Sequence, residues 1–316
     1  MDFKSLQYFQ VVAQELNITR AAERLHMSQP PLSTQIHNLE EDLGVTLFVR
    51  GKRHLQLTEA GHLLLQRSEQ MLTLADKTRS DLTTLENALS GVIHIGIVEG
   101  LAPFLAAKYI AGFQEEFPLV RYQLWNGNSD AVLDDLSRGL ADVAVIARPY
   151  DREHLDGITL GVEPWVAILS EKHPLAAEPG TTVPLTKLSG EPLIVPSRKS
   201  RVESIRRWFS GIGTEANIRV ETANYLDAIA LAEQNVGISI FPRTVRGNHM
   251  GTVSKIITDP VRTAEYVLVV EKEQRLTPLV EEFINYVRDS VEEAALSGDK
   301  PESSGDFVIP PDTDIL

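Results

Sequence analysis

Apolar side chains recur every three or four positions from the start of the chain. Leu6, Phe9, Val12, Ala13 and Leu16 share one helical face. Asn17 offers an N-cap oxygen to a second short helix, "ITRAAERLH", which turns Ala21, Ala22 and Leu25 inward. Leu32, Ile36, Leu39 and Leu43 form the stripe of a third helix, stopped by Gly44. This third helix starts on two prolines. With Ser28 as N-cap, Gln29, Pro30 and Pro31 fall in the first turn, where amides have no intrahelical partner. Met27 and Leu32 stand at the spacing of a hydrophobic staple. The outward face carries Gln29, Ser33, Thr34, Gln35, His37 and Asn38, short polar groups suited to base edges in a groove. Two tightly joined short helices of this kind predict a helix-turn-helix. The following "VTLFVRGKRHLQLT" reads as two strands around a basic tip, Arg50, Gly51, Lys52, Arg53 and His54, a wing placed to meet phosphates.

Thr58 then caps a long helix extended to about Ser90, roughly 50 Å at the usual rise. Leu64, Met71, Leu72, Ala75, Leu82, Leu85 and Leu89 make a broken apolar seam along it. A second copy of the helix would cover that seam, giving a dimer; packing on the chain's own second half is the alternative. From Val92 short apolar strands alternate with helices, the pattern of parallel α/β lobes. A first set, "VIHIGIV" to "DVAVIA", is followed by a second from "WVAILS" to "GISIFP". "EYVLVV" and "LTPLVEEFINYV" then return to the first lobe. Two crossings between lobes make a cleft, and ligands gather there at strand C-termini and helix N-termini. The candidate lining is Val98, Glu99, Gly100 and Leu101; Asn126, Gly127, Asn128 and Ser129; Arg148; Ser197, Arg198 and Ser200; and Asn224 and Tyr225. The arginines could supply bidentate charge to an acid.

Among 316 residues there is no cysteine, which excludes disulfides and thiolate metal sites and fits a cytoplasmic chain. A net charge of −14 argues against nonspecific nucleic-acid binding, but leaves room for a small basic reading surface. No apolar run is long enough for a membrane span, and "MDFKSLQYFQVV" is unlike a signal peptide. Phosphate-loop, dinucleotide and nucleophile-elbow motifs are missing, the eight histidines are scattered, and "EED" and "LDD" read as solvated helix faces. Neither an enzyme, nor a metal, nor a cofactor is expected. Residues 294–316, rich in Pro, Ser, Gly and Asp, read as a disordered acidic tail.

The stretch from Leu6 to Gly61 resembles, without a gap, the DNA-binding end of the LysR-type transcriptional regulators. "SRGLADVAVI" and "QNVGISIFP" resemble phrases of the same family's effector domain. The resemblance implies four regions: a mainly α winged helix-turn-helix, 1–57; a linker helix, 58–90; a two-lobed α/β effector domain, 91–293; and the tail. The effector domain is expected to be similar in fold to periplasmic solute-binding proteins. Its lobe I covers about 91–163 and 267–293, and its lobe II about 164–266. The implied DNA contacts are Thr19, Arg20, Ser28, Gln29, Pro30, Ser33, Thr34, His37, Arg50, Lys52 and Arg53. The implied partners are a partly palindromic operator, a small effector such as an organic acid, and further copies of the chain as a dimer or dimer of dimers, with RNA polymerase beyond them. Two departures stand out. Thr34 takes a position where many relatives carry arginine, and Glu99 and Gly100 replace the usual serine or threonine turn that holds an effector carboxylate. A constitutive regulator with an idle cleft therefore stays open beside the effector-controlled one, as does a solute-binding protein that lacks DNA binding.

Overall fold

The computed structural model describes residues 1–50, 55–84, 90–243, 251–296 and 314–315. The chain divides into two compact units, Met1–Glu86 and Asn87–Leu316.

In the first unit, α1 (Phe3–Glu15), α2 (Ile18–Arg24) and α3 (Gln29–Leu43) precede β1 (Phe48–Arg50), β2 (Leu55–Leu57) and α4 (Glu59–Thr84). Asp2 and Ser5 start α1 with a reciprocal capping box. Asn17 starts α2 by accepting from the amides of Thr19 and Arg20. Gly44 ends α3 in the left-handed conformation, φ 69°. The expected stripe is buried: Leu32, Ile36 and Leu39 pack with Phe9, Val12, Ala21, Ala22 and Leu47, while Met27 and Leu43 flank them. Ser28 is the N-cap as expected, yet its hydroxyl makes no capping bond. The two prolines explain this. A capping oxygen serves the second or third amide of the helix, and Pro30 and Pro31 have none to offer.

The "EED" run is not simply solvated. Glu40 accepts from the amides of Leu47 at 2.7 Å and Phe48 at 3.1 Å, so α3 holds the start of β1, and Asp42 pairs with the N-terminal ammonium. β1 and β2 pair antiparallel, as the wing reading requires. The tip with Lys52 and Arg53 lies outside the described residues, as do Leu85 and Leu89 of the apolar seam. On α4, Ala60, Leu64 and Leu65 pack on the unit's core, whereas Leu63, Leu74 and Leu82 are exposed.

The second unit holds β3 (Gly91–Val98), α5 (Ala102–Glu116), β4 (Val120–Gly127), α6 (Ser129–Ser137), β5 (Val143–Ala147), β6 (Leu155–Ser170), α7 (Pro174–Ala177) and β7 (Thr182–Pro184). A 3-10 turn, Leu185–Leu188, leads to β8 (Leu193–Pro196), α8 (Lys199–Gly211), β9 (Ile218–Thr222), α9 (Tyr225–Glu233) and β10 (Ile238–Pro242). β11 (Thr252–Thr258), β12 (Arg262–Glu271), α10 (Pro278–Leu296) and β13 (Asp314–Ile315) complete it. The strand order β4-β3-β5-β12-β6-β10-β8-β9 makes two α/β lobes that share β6.

The expected parallel pairings occur among β3, β4 and β5 and among β8, β9 and β10. The sheets are nevertheless mixed, because β12 runs antiparallel to both β5 and β6. "WVAILS" is only the second half of β6: Leu155–Pro164 pair with β12, whereas Trp165–Ser170 pair with β10 and β11. The pairing of β6 changes over between Pro164 and Trp165. The return comes earlier than the expected 267, since β12 already pairs with Pro164 through Thr263. Lobe I closes around Ile95, Phe113, Val145 and Phe283, with Phe113 edge-on to Phe283 at 5.2 Å. Lobe II closes around Trp165, Ile205, Trp208 and Ile240.

Two further expectations are corrected. Asp135 of "LDD" accepts from the Trp125 indole at 2.9 Å instead of standing free in water, and burial raises its pKa despite that bond. Of the tail, α10 takes residues up to Leu296, and Asp314 and Ile315 pair in parallel with Arg262 and Thr263. That stretch of β12 lies beyond the end of β5, whose pairing stops at Tyr266, so its edge can accept another strand.

Gly61 lies in the first turn of α4, where an added Cβ would meet the Leu47 carbonyl oxygen at 2.3 Å. That same oxygen accepts from the Thr58 amide at 3.0 Å, so it cannot retreat freely. Gly61→Ala is expected to cost about 1–3 kcal/mol by overpacking. Hydrogen exchange of the full chain should show protection lost in β1, β2 and the start of α4 and kept in the second unit.

Candidate DNA-reading face and ligand cleft

In the first unit the buried stripe of α3 forces its other side outward. Gln29, Pro30, Thr34, Gln35, His37 and Asn38 are exposed, with Ser33 half-buried. The Ser28 hydroxyl, released from capping, stands at the head of this face. Thr34 spends its hydroxyl on the Pro30 carbonyl at 3.1 Å, and His37 approaches Glu41 at 3.4 Å. On α2, Thr19 and Arg20 are exposed. Arg20 donates to the Glu15 carbonyl at 2.8 Å, and Arg24 meets the Glu15 carboxylate at 3.2 Å. Local positive charge there is thus partly neutralised, a detail that charge counting along the sequence does not show. Arg50 closes β1 opposite Leu55.

In the second unit a cavity of about 120 Å³ opens between the lobes. An apolar cavity of roughly 150 Å³ accepts a benzene ring, which sets the scale of ligand for this conformation. Lobe I contributes Val98, Glu99, Gly100, Gly127, Asn128, Ser129, Ala147 and Tyr266. Lobe II contributes Pro196, Ser197, Arg198, Arg201, Thr222, Ala223, Tyr225, Phe241 and Pro242, and Trp165 stands where β6 passes between the lobes.

Three polar links cross the cleft. The Glu99 carboxylate accepts from the backbone amide of Tyr225 at 2.8 Å. Arg198 of α8 meets Asp130 of α6 at 3.0 Å. Arg201 donates to the Arg148 carbonyl. Arg201 is 7% exposed, and its guanidinium lies 5.5 Å from the centre of the Trp165 ring. Burial pushes its pKa down to about 10, with Arg198 adding to the effect and Tyr266 opposing it. It remains charged at neutral pH, and no carboxylate lies within ion-pair distance among the described residues. Tyr266, fully buried beside it, is pushed up to about 12 by desolvation, although the Leu101 amide donates to its hydroxyl. The Trp165 indole N–H and the Arg198 Nη1 are buried without a hydrogen-bond partner.

Of the fourteen residues nominated from the sequence, Val98, Glu99, Gly100, Gly127, Asn128, Ser129, Ser197, Arg198 and Tyr225 line this cavity. Five do not. Leu101 is buried as the residue before α5, and Asn126 points to solvent from β4. Arg148 is drawn away by Glu265 at 3.0 Å. Ser200 sits in the first turn of α8, its hydroxyl buried and unpartnered. Asn224 turns its side chain to the amides of Leu226 and Asp227. The apolar half of the lining, Ala147, Trp165, Phe241 and Tyr266, was missed because it lies inside strands and reads as core. Arg201 was missed inside a helix with three other cations, Lys199, Arg206 and Arg207. Among the described residues no cluster of histidine and acidic groups could hold a metal, and no helix is long and apolar enough to cross a membrane.

Comparison with known proteins bears on both units. Residues 3–62 match the family model "bacterial regulatory helix-turn-helix protein, lysR family", and residues 86–292 match that of the LysR substrate binding domain. The Hca operon transcriptional activator HcaR of Escherichia coli K12 is 30% identical over 295 residues, covering 92% of this chain and 98% of that protein. The transcriptional regulator AlsR of Bacillus subtilis 168 is 28% identical over 289 residues, covering 90% and 95%. Full-length CbnR, a structure solved with its target DNA, shares the fold with a TM-score of 0.74 at 24% identity, over 92% of this chain and all of that one. With a helix-turn-helix at one end and a two-lobed substrate-binding fold at the other, the chain belongs to the LysR family of DNA-binding transcriptional regulators.

Proposed function

We propose that this regulator reads its operator through α3 and the wing, and that a small molecule in the cleft adjusts how it does so. The base-reading groups are Gln29, Ser33 and His37, with Ser28, Pro30 and Thr34 shaping the approach. Thr19, Arg20, Arg50, Lys52 and Arg53 meet phosphate. One observation carries the control by ligand: the cavity is bounded by both lobes and ringed by polar links that cross between them. A bound molecule must rearrange or reinforce those links, so its affinity depends on the angle between the lobes. A coupling of ~1–3 kcal/mol between cleft and operator is enough for regulation.

The exposed leucines along α4 favour pairing with a second copy, and a dimer or dimer of dimers would present two reading heads to a partly palindromic site. Work on DNA beside RNA polymerase places the protein in the cytoplasm, without a catalytic role. The competing reading, a constitutive regulator, draws on Glu99, whose carboxylate joins the lobes by accepting from the Tyr225 amide.

Footprinting on DNA flanking its own gene, with and without candidate metabolites, separates the two. An effector at a hundred times its Kd should stabilise the chain by about 2.7 kcal/mol and alter the footprint or bend. If no compound raises Tm or changes the footprint, the constitutive reading holds. On the DNA side, Gln29→Ala and Ser33→Ala should each cost about 1–3 kcal/mol on the cognate operator and less on scrambled DNA. Arg53→Ala should weaken all sequences alike and reduce the salt slope by about 1. These slopes, measured by fluorescence anisotropy across ionic strengths, also reveal whether the wing touches DNA.

A further inference from the structure

Of the helices that begin near the cleft, three start on residues that line the cavity, α6, α8 and α9, and their amides are not equally free. At α9 every first-turn amide is taken: Tyr225 N–H by Glu99, and Leu226 and Asp227 N–H by the Asn224 side chain. At α6 the Asn128 side chain takes the Ala131 amide, and Asp130 adds a negative charge to the first turn. At α8 the N-cap residue is Arg198, which makes no capping bond with its side chain. The amides of Lys199 and Ser200 are left over, since helical bonding begins with Arg201 and Val202 donating to the Arg198 carbonyl. Beside this open helix start stand the unneutralised, buried Arg201 and the unpartnered Arg198 Nη1. The anion-accepting side of the cavity is therefore the α8 side.

Glu99 faces the same cavity with the opposite charge. Its Oε2 is held by the Tyr225 amide, and its Oε1 has no partner among the described residues. We infer that Glu99 fixes the class of ligand: a small zwitterion, its carboxylate at the start of α8 with Arg198 and Arg201, and its ammonium donating to Glu99. This deepens the cleft reading proposed above and rests on it. A simple organic acid would satisfy Arg201 but leave an acceptor-only carboxylate facing it across the site. An amine at that end supplies the donors that Glu99 lacks. The aromatic lining of Trp165, Phe241 and Tyr225 then accommodates an apolar side chain.

The test compares matched probes on the full-length chain by isothermal titration calorimetry. The pairs are L-phenylalanine with 3-phenylpropanoate, L-leucine with 4-methylpentanoate, and L-alanine with propanoate. Each pair differs in the α-ammonium alone. At least one amino acid should bind ten-fold or more tightly than its deaminated partner. Glu99→Gln keeps an acceptor for the Tyr225 amide, so the fold and the link survive; it should erase or reverse that preference by about ten-fold. A deaminated acid binding the wild-type chain as tightly as its amino acid overturns the zwitterion and leaves the effector cleft standing. A preference that Glu99→Gln does not change overturns the role of Glu99. If no member of any pair binds, the ligand class is wrong, and the footprinting screen decides separately whether the cleft takes a ligand.

Discussion

One strand serves two sheets, and the second unit depends on it. β6 runs for sixteen residues, pairing with β12 up to Pro164 and with β10 and β11 beyond it. The backbone cannot be broken there without unpairing a ladder in each lobe, so the lobes are tied at a fixed point yet free of a common core. Their hydrophobic clusters are separate, one around Phe113 and one around Trp208. Between them lies a space walled by aromatic and polar side chains alike. That separation is the origin of the cavity, and it explains why Trp165, at the changeover, both packs in lobe II and faces the cleft.

The chemistry of the cleft follows from where charge can survive such a place. A buried guanidinium tolerates loss of water only with aromatic faces, carbonyls or anions around it. Arg201 has the Trp165 ring and the Arg148 carbonyl but no carboxylate among the described residues. Arg198 has Asp130 on one nitrogen and nothing on another. Glu99, more exposed, leans on a helix start from the other lobe. Glu99 and Arg201 are thus held apart across a narrow space instead of cancelling in a salt bridge with each other.

The reading head was legible in the sequence almost in full, because a helix-turn-helix is built from local signals: apolar spacing, Asn17 and Gly44 as caps, and prolines in a first turn. The wing was legible in the same way, as two short strands around a basic tip, although that tip lies outside the described residues. The effector unit was legible as an architecture and only partly as a site. Strand ends and turns gave Val98, Gly100, Asn128 and Ser197. The long antiparallel pair of β6 and β12 was obscured because Gly157, Gly161 and Pro164 interrupt the first half of β6. Partners distant in sequence cannot be read from periodicity at all. Glu99 and Tyr225 lie 126 residues apart, and Glu40 looked solvated until β1 was brought to it.

The two prolines of α3 have an effect beyond helix entry. A helix start ordinarily gathers phosphate with its own amides, but here two of the first three residues have none. This helix start therefore has fewer amides to offer a sugar-phosphate strand than an ordinary one. On the reading proposed above, attraction to the duplex falls to cationic side chains nearby, while the helix is left to test the bases. Under that reading grip and discrimination are divided between different parts of one small fold, so either could drift over evolutionary time without dragging the other along.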